Sequence, residues 1–163
     1  MPVRQTHMHY SIASRRHAGG FSLVEALVAL LVLSIGMLGI AALYVESLRS
    51  GRTALLRTQA VTLASDMADR IRANRQGRDA YQQTVTSADT NAECSPGGTG
   101  CTTDALAKHD KAVWLGAIEA ALPGATGTIN VDTTTTPATY TIVVSWAEPG
   151  QTDSSTYQLR FQA

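Results

Sequence analysis

A single carboxylate lies near the start of a long apolar run in this 163-residue sequence. From Phe21 to Val45, Glu25 is the one charged side chain. A carboxylate in hydrocarbon costs about 2–3 kcal/mol even on lenient scales, so such residues usually pair with a charge. The run contains no Lys, Arg or His, and the partner of Glu25 is therefore expected to be Arg15 or Arg16 by snorkelling, or a cation outside the chain.

The apolar run predicts a membrane-spanning helix. Its 25 residues would form a helix of roughly 37 Å, which is enough to cross a bilayer. A secretory signal peptide is the rival interpretation, but its apolar region usually has only ~7–15 residues. Because Arg15 and Arg16 precede the run, the amino end is predicted to be cytoplasmic and the rest to lie outside the inner membrane.

The other side chains that could act in catalysis favour a protein that is not an enzyme. Three of the four histidines precede the apolar run, and His109 is interpreted as a surface helix residue. No Ser or Cys nucleophile has a matched partner, and the formal net charge of zero gives no basic field for nucleic acid. We expect no cofactor, no metal site and no nucleic-acid partner.

Two cysteines predict a structural disulfide. Cys94 and Cys101 enclose SPGGTG, whose Pro and Gly residues allow the tight reversal that a short bridge needs. A disulfide is permitted outside the cytoplasm, whereas zinc would need two further ligands nearby. The bridge is expected to contribute roughly 2–3 kcal/mol in the chain-entropy model.

A long helix and a small head must position these groups. No proline interrupts residues 21–76, so one helix is predicted, with a membrane part at 21–45 and an amphipathic part at 46–77 that ends near Gly77. A head at residues 78–163 buries little core alone, and the amphipathic part is expected to pack on its sheet. The predicted fold is therefore α+β, a lollipop with a leader at residues 1–20.

The head itself is predicted to contain one helix and an antiparallel sheet. The helix is expected at about Asp104–Leu122, with Thr103 or Asp104 as its cap. TYTIVVSW and STYQLRF alternate like the strands of a hairpin, and residues 128–131 are a candidate third strand. Trp114 and Trp146 lie on apolar stripes, which favours core packing over stacking on sugars.

Four arginines at the end of the long helix have two interpretations. Arg70, Arg72, Arg75 and Arg78 could bind DNA, a phosphate-bearing glycan or a partner protein. Acidic residues are interleaved with them, which favours a solvated helix face with Asp66 and Arg70 as an i,i+4 ion pair.

The amino-terminal pattern resembles a known class of proteins. GGFSLVEALVALLVLSIGMLG is similar to the type III signal of type IV pilins and type II secretion pseudopilins. Residues 57–81, RTQAVTLASDMADRIRANRQGRDAY, resemble the PilV family of minor pilins, the type IV pilus modification proteins. The resemblance implies cleavage after Gly20, an N-methylated Phe21 and an assembly role for Glu25. A leader of 20 residues is long for the class, so Met8 is an alternative start.

The resemblance also implies partners and location. Expected partners are a prepilin peptidase, other minor pilins, the pilus assembly platform and the inner membrane, with a tip adhesin as a further candidate. The chain would be a single-pass inner-membrane protein with a periplasmic head, later found in a surface pilus that serves adhesion and motility. Its function would be to initiate or cap pilus assembly. A type II secretion pseudopilin and a membrane-anchored binding protein or adhesin that never assembles are the alternatives.

Overall fold

The computed structural model describes residues 19–163. Most of the predicted leader, including Arg15 and Arg16, lies outside the described residues. The chain divides into two compact units, the first ending at Val45 and the second spanning Glu46–Ala163. Helix α1, Leu23–Ala73, has 51 residues and contributes to both units.

The first unit contains the apolar part of α1. The large hydrophobic side chains of this unit are exposed, from 56% at Val28 in the helix to 82% at Phe21 just before it. Within the described part of the chain, α1 is the one helix long and apolar enough to cross a membrane, with a mean hydropathy of 2.7 over its most apolar window. The hydroxyl of Ser34 donates a hydrogen bond to the Leu30 carbonyl at 2.7 Å, which satisfies this polar group within the helix.

The second unit contains α2, Thr103–Ala121, and strands β1, Thr126–Asp132, β2, Thr139–Ala147, and β3, Ser154–Gln162. The strands form an antiparallel sheet in the order β1-β2-β3. The predicted helix, hairpin and third strand are therefore present. The predicted α+β class, a long amino-terminal helix with a small antiparallel head, is confirmed.

Two predicted helix ends were wrong in detail. Thr102 caps α2, because its hydroxyl accepts a hydrogen bond from the Ala105 amide at 3.3 Å. Helix α1 ends at Ala73 rather than near Gly77. The Asn74 side chain accepts from the Gly77 amide at 3.2 Å and donates to the Thr103 carbonyl at 2.8 Å, so side-chain bonds replace the next helical turn.

The core of the second unit lies where α1, α2 and the sheet meet. The contribution of α1 is a stripe with three alanines, which permits close approach of the other elements. Trp114 and Trp146 are 1% and 2% exposed, so their predicted place in the core is confirmed. The fully buried residues of the α1 stripe and the sheet are Ala60, Ala64, Met67, Ala68, Ile71, Tyr140, Ile142 and Val144.

Candidate processing and assembly site

The predicted processing bond lies in irregular, exposed backbone. Residues 19–22 have no regular secondary structure, and the side chain of Phe21 is 82% exposed. The Ser22 carbonyl accepts the first helical hydrogen bond, from the Ala26 amide at 3.1 Å. The bond between Gly20 and Phe21 therefore precedes α1 and lies in exposed, irregular backbone, as a peptidase substrate requires.

Nothing in the described chain itself requires glycine at position 20. A Cβ atom added to Gly20 would meet no atom within 4 Å, and the same holds for Gly19. Glycine is often retained where a backbone is approached closely. No atom of residues 19–163 makes such an approach at Gly20, which fits a glycine that a peptidase recognises.

Glu25 occupies the first turn of α1. Ser22 precedes the helix and Glu25 follows three residues later, which is the spacing of a capping box; the sequence analysis missed this signal. A carboxylate near a helix amino terminus gains only about 0.3–1 kcal/mol from the helix dipole. This is less than the ~2–3 kcal/mol cost of the charge in hydrocarbon, so a local helix role alone does not account for Glu25.

The ion pairs of the described residues leave Glu25 without a partner. Within residues 19–163, the cations of the five ion pairs are all arginines of the second unit, and their acids are other residues. At 100° per residue, Ala29, Val32, Gly36 and Leu43 lie within about 40° of Glu25 around α1. The face that carries the carboxylate therefore includes small residues, which allow another helix to approach closely.

A polar network joins α1 to α2 in the second unit. Arg70 Nε donates to Asp66 Oδ2 at 2.9 Å, as predicted, and Arg70 Nη1 donates to Asp110 Oδ1 at 3.0 Å. The Tyr81 hydroxyl donates to the other oxygen of Asp110 at 3.0 Å. Burial lowers the Arg70 pKa, but its bonds to the two carboxylates outweigh this effect and raise the pKa overall.

Tyr81, Lys111 and His109 are buried in the same part of the head, and burial shifts the pKa of the first two. The pKa of Tyr81 is raised by burial and by the charge of Asp110, so the phenol stays neutral. Burial lowers the pKa of Lys111, whose ammonium donates to the carbonyls of Tyr81 at 3.1 Å and Gln83 at 2.7 Å. His109 is also buried, and its Nδ1 accepts from the Asn91 amide at 2.9 Å. The interpretation of His109 as a surface residue was therefore wrong.

The arginines at the end of α1 are only partly a solvated face. Arg72 is half exposed and donates to Asp69 at 2.8 Å, yet its guanidinium also lies 4.7 Å from the centre of the Phe161 ring. Arg70 is committed to two carboxylates. Arg75 is exposed. These contacts anchor the end of α1 to the head.

The predicted disulfide between Cys94 and Cys101 is confirmed. Its Cα atoms are 5.3 Å apart, and it closes the loop that follows a short 3-10 turn at Ala92–Cys94. Gly97 and Gly100 within the loop have φ of 89° and 94°, which glycine adopts without strain. Both cysteines of the sequence are in this bridge, so the chain has no free thiol.

Comparison with known families places these features in one class. Residues 15–41 match the prokaryotic N-terminal methylation motif, a segment that includes Gly20, Phe21 and Glu25. Residues 42–112 match the family model described as type IV pilin Tt1218, and this segment includes the Arg70 network and the disulfide. Neither a curated protein nor a solved structure shows significant similarity to the chain.

Together with the fold, the two matches show that residues 15–112 are similar to type IV pilins, a class of structural proteins. The methylation motif implies processing by a prepilin peptidase and a role related to pili. The apolar part of α1 is compatible with single-pass anchoring in the inner membrane.

Proposed function

We propose that this chain is a minor pilin of the PilV type, which helps to initiate or cap a type IV pilus together with other minor pilins. The observation that carries the proposal is Glu25, a carboxylate without an ion-pair partner within residues 19–163, on an exposed apolar helix. The PilV part is supported by the resemblance of residues 57–81 to that family.

Cleavage after Gly20 would create the missing cation. Hydrolysis of the peptide bond frees an amino group on Phe21, four residues before Glu25 in the chain. Four residues correspond to roughly 6 Å along a helix, so a neighbour displaced by about one turn would bring its Phe21 amine level with Glu25. The pair would then set the axial register of parallel helices.

The energetics favour assembly over residence in lipid. Contacts between helices replace contacts with lipid, and the small residues beside Glu25 allow these contacts to be close. Removing one partner of a buried ion pair costs about 3–5 kcal/mol, because the other charge remains buried and unpaired. An assembly with the pair intact is therefore selected over one out of register.

The processed chain would be held in the inner membrane by α1, with its head in the periplasm, before it enters a surface pilus. The Cys94–Cys101 bridge supports a head outside the cytoplasm, because disulfides persist in oxidising compartments. The machine that incorporates the chain would be the pilus assembly platform.

The test compares Glu25→Ala and Glu25→Gln with Glu46→Gln in the full chain, expressed in the native host. Glu46 is a matched acidic residue on the same helix, exposed and already paired with Arg49 at 3.8 Å. Amino-terminal mass analysis measures processing, and the amount of the chain in sheared pili measures incorporation. We expect all three variants to begin at N-methylated Phe21, and both Glu25 variants to be depleted from pili several-fold.

Normal incorporation of Glu25→Ala would contradict the proposed role of this residue. A chain that retains the residues before Phe21 would be an ordinary membrane anchor. If deletion of the protein abolishes protein export and leaves pili intact, the chain is a type II secretion pseudopilin.

The processing bond has its own test in Gly20→Val, with Gly19→Val as the matched control. Neither added side chain meets an atom of the described chain, so folding should be unchanged. We expect the uncut chain to accumulate only with Gly20→Val, and cleavage of both variants would overturn the assignment of Gly20.

A further inference from the structure

Strand β3 forms one open edge of the sheet. It pairs with β2 along its whole length, Ser154 to Gln162, and within residues 19–163 no strand lies on its other side. An uncovered edge presents unpaired backbone N–H and C=O groups, which proteins usually protect with proline, charges or a covering segment. β3 contains no proline, and Arg160 is its one charged residue.

The apolar surface of the sheet is also incomplete along β3. Tyr157, Leu159 and Phe161 are only partly buried. Their partners across β2 are Val144, Ile142 and Tyr140, which are at most 1% exposed. The apolar face of the sheet therefore remains partly exposed at the β3 edge.

A groove lies beside the first part of β3. A cavity of about 420 Å³ is lined by Arg57 and Val61 of α1, by Trp146, and by residues 155–157 of β3. Arg72 lies over Phe161 near the other end of the strand, and Arg160 points outward and is exposed. Arg57 already pairs with Glu148 at 3.5 Å and Arg72 with Asp69 at 2.8 Å, whereas Arg160 is in none of the ion pairs within residues 19–163. The charge of Arg160 on the open edge favours a partner strand that carries a carboxylate at this position.

A second copy of the chain does not fit this edge. Pairing of β3 with β3 of another copy would require a half-turn about the sheet normal or about the strand direction. The first operation reverses the direction of α1, and the second places the two α1 helices on opposite faces of the joint sheet. Neither arrangement allows the α1 helices to pack side by side and parallel, as the proposed function requires.

Pairing of β3 with β1 of another copy is blocked as well. Residues 127–130 of β1 line a cleft whose other wall includes Gln82, Thr84 and Val85, so another part of the same head lies across this cleft from the strand. The turn at Arg78–Gln82 also contacts β1. The partner must therefore be a different chain.

We propose that β3 and its groove dock an extended edge strand of a different pilin, by strand addition to the sheet. The partner strand would place apolar side chains beside Tyr157, Leu159 and Phe161 and a carboxylate opposite Arg160. Main-chain hydrogen bonds would supply affinity, and the alternating side chains would supply specificity. The inference rests on the proposed function for the parallel arrangement of the α1 helices.

The test is site-specific photo-crosslinking in cells that express the full chain with its native partners. A benzophenone amino acid replaces Gln158, which is exposed on β3, or Asn130, which is exposed on β1 and serves as the matched control. We expect the β3 probe, and not the β1 probe, to give one adduct with a second pilin, identified by mass spectrometry. An adduct with another copy of this chain, or no adduct at β3, would overturn the inference.

A second variant separates docking from folding. Thr156→Lys combined with Gln158→Lys adds charge to the edge, while Thr128→Lys combined with Asn130→Lys adds the same charge to exposed positions of β1. We expect the β3 pair to reduce native incorporation several-fold with unchanged tryptophan fluorescence of the purified chain, and the β1 pair to leave both unchanged. Equal incorporation of both would contradict docking at β3.

The same cells show whether the inference or the proposed function has failed. If the chain begins at Phe21 and enters pili yet gives no β3 adduct, only strand addition is wrong. If the chain is not processed or incorporated, the proposed function is wrong as well.

Discussion

Asp66 and Asp110 offer an internal comparison of what two carboxylates contribute to stability. Both accept a hydrogen bond from the Arg70 guanidinium, at 2.9 and 3.0 Å. Asp66 is one helical turn away and its side chain is 50% exposed, whereas the side chain of Asp110 is 12% exposed and also accepts from the Tyr81 hydroxyl. The two replacements Asp66→Ala and Asp110→Ala should therefore differ sharply.

The magnitudes follow from exposure and from the number of bonds lost. An exposed i,i+4 pair contributes about 0.3–0.5 kcal/mol, so Asp66→Ala should lower the free energy of unfolding by no more than this. Asp110→Ala removes two hydrogen bonds to a charged group, each contributing about 1.5–3 kcal/mol. Arg70 keeps its bond to Asp66, and the Tyr81 hydroxyl keeps a 3.4 Å contact with the Arg70 carbonyl. The net loss should then be roughly 2–4 kcal/mol.

Urea unfolding of the full chain in a nonionic detergent would measure both losses. Trp114 and Trp146 are the two tryptophans of the sequence, and both are buried in the second unit. Their fluorescence therefore reports the unfolding of that unit alone. Equal losses for the two variants, or a loss below about 1 kcal/mol for Asp110→Ala, would refute the assignment of stability to the buried carboxylate.

A further check is a double-mutant cycle with Arg70→Met. In that background the effect of Asp110→Ala should shrink to the part due to Tyr81, because neighbouring groups in one network are not additive. An unchanged effect would mean that Asp110 acts independently of Arg70.

Three other perturbations have defined outcomes in the same unfolding assay. Gly77→Ala should destabilise the second unit by about 1–3 kcal/mol, because its Cβ would overlap a backbone carbonyl of α2. Gly51→Ala lies in open space within α1 and should instead stabilise the helix by about 0.5–1 kcal/mol. Equal effects of the two variants would argue against the close approach at Gly77. The pKa of Tyr81 is raised in the folded chain, so the stability due to the neutral phenol is fully present below its ordinary pKa near 10 and falls as pH rises above it. Tyr81→Phe should reduce this alkaline decline in the free energy of unfolding. An unchanged slope of that free energy against pH would refute the burial of the phenol. Replacement of Cys94 and Cys101 together by serine should cost roughly 2–3 kcal/mol, and no loss would mean that the bridge is dispensable.

The sequence was most informative where local pattern decides structure. The alternation in TYTIVVSW and STYQLRF predicted β2 and β3, because residues two apart share one face of a strand. The apolar run and the absence of proline predicted a single helix through residues 21–77, and one helix is observed at Leu23–Ala73. The Asp66–Arg70 pair was predictable for the same reason, since its partners are one turn apart.

The sequence did not predict contacts or burial that depend on a segment far away along the chain. Arg70 and Asp110 are 40 residues apart, and no local pattern indicates that they meet. His109 lies between the charged residues Lys108 and Asp110 of α2, yet it is buried and its ring accepts a hydrogen bond from the Asn91 amide, which precedes a short 3-10 turn. The end of α1 was missed because the Asn74 side chain bonds to the start of α2, which competes with a further helical turn.

The sequence by itself indicated the candidate processing and assembly residues of the amino-terminal segment. The roles proposed for Gly20, Phe21 and Glu25 depend on residue type and on spacing along the chain, and these properties need no tertiary contacts. The tertiary structure alone decided which edge of the sheet has a neighbouring segment, because the turn at Arg78–Gln82 contacts β1, whereas β3 forms the other edge of the sheet. Strand alternation predicts that a strand exists but carries no information about its neighbours, so the surface proposed for a partner pilin became visible only in the folded head.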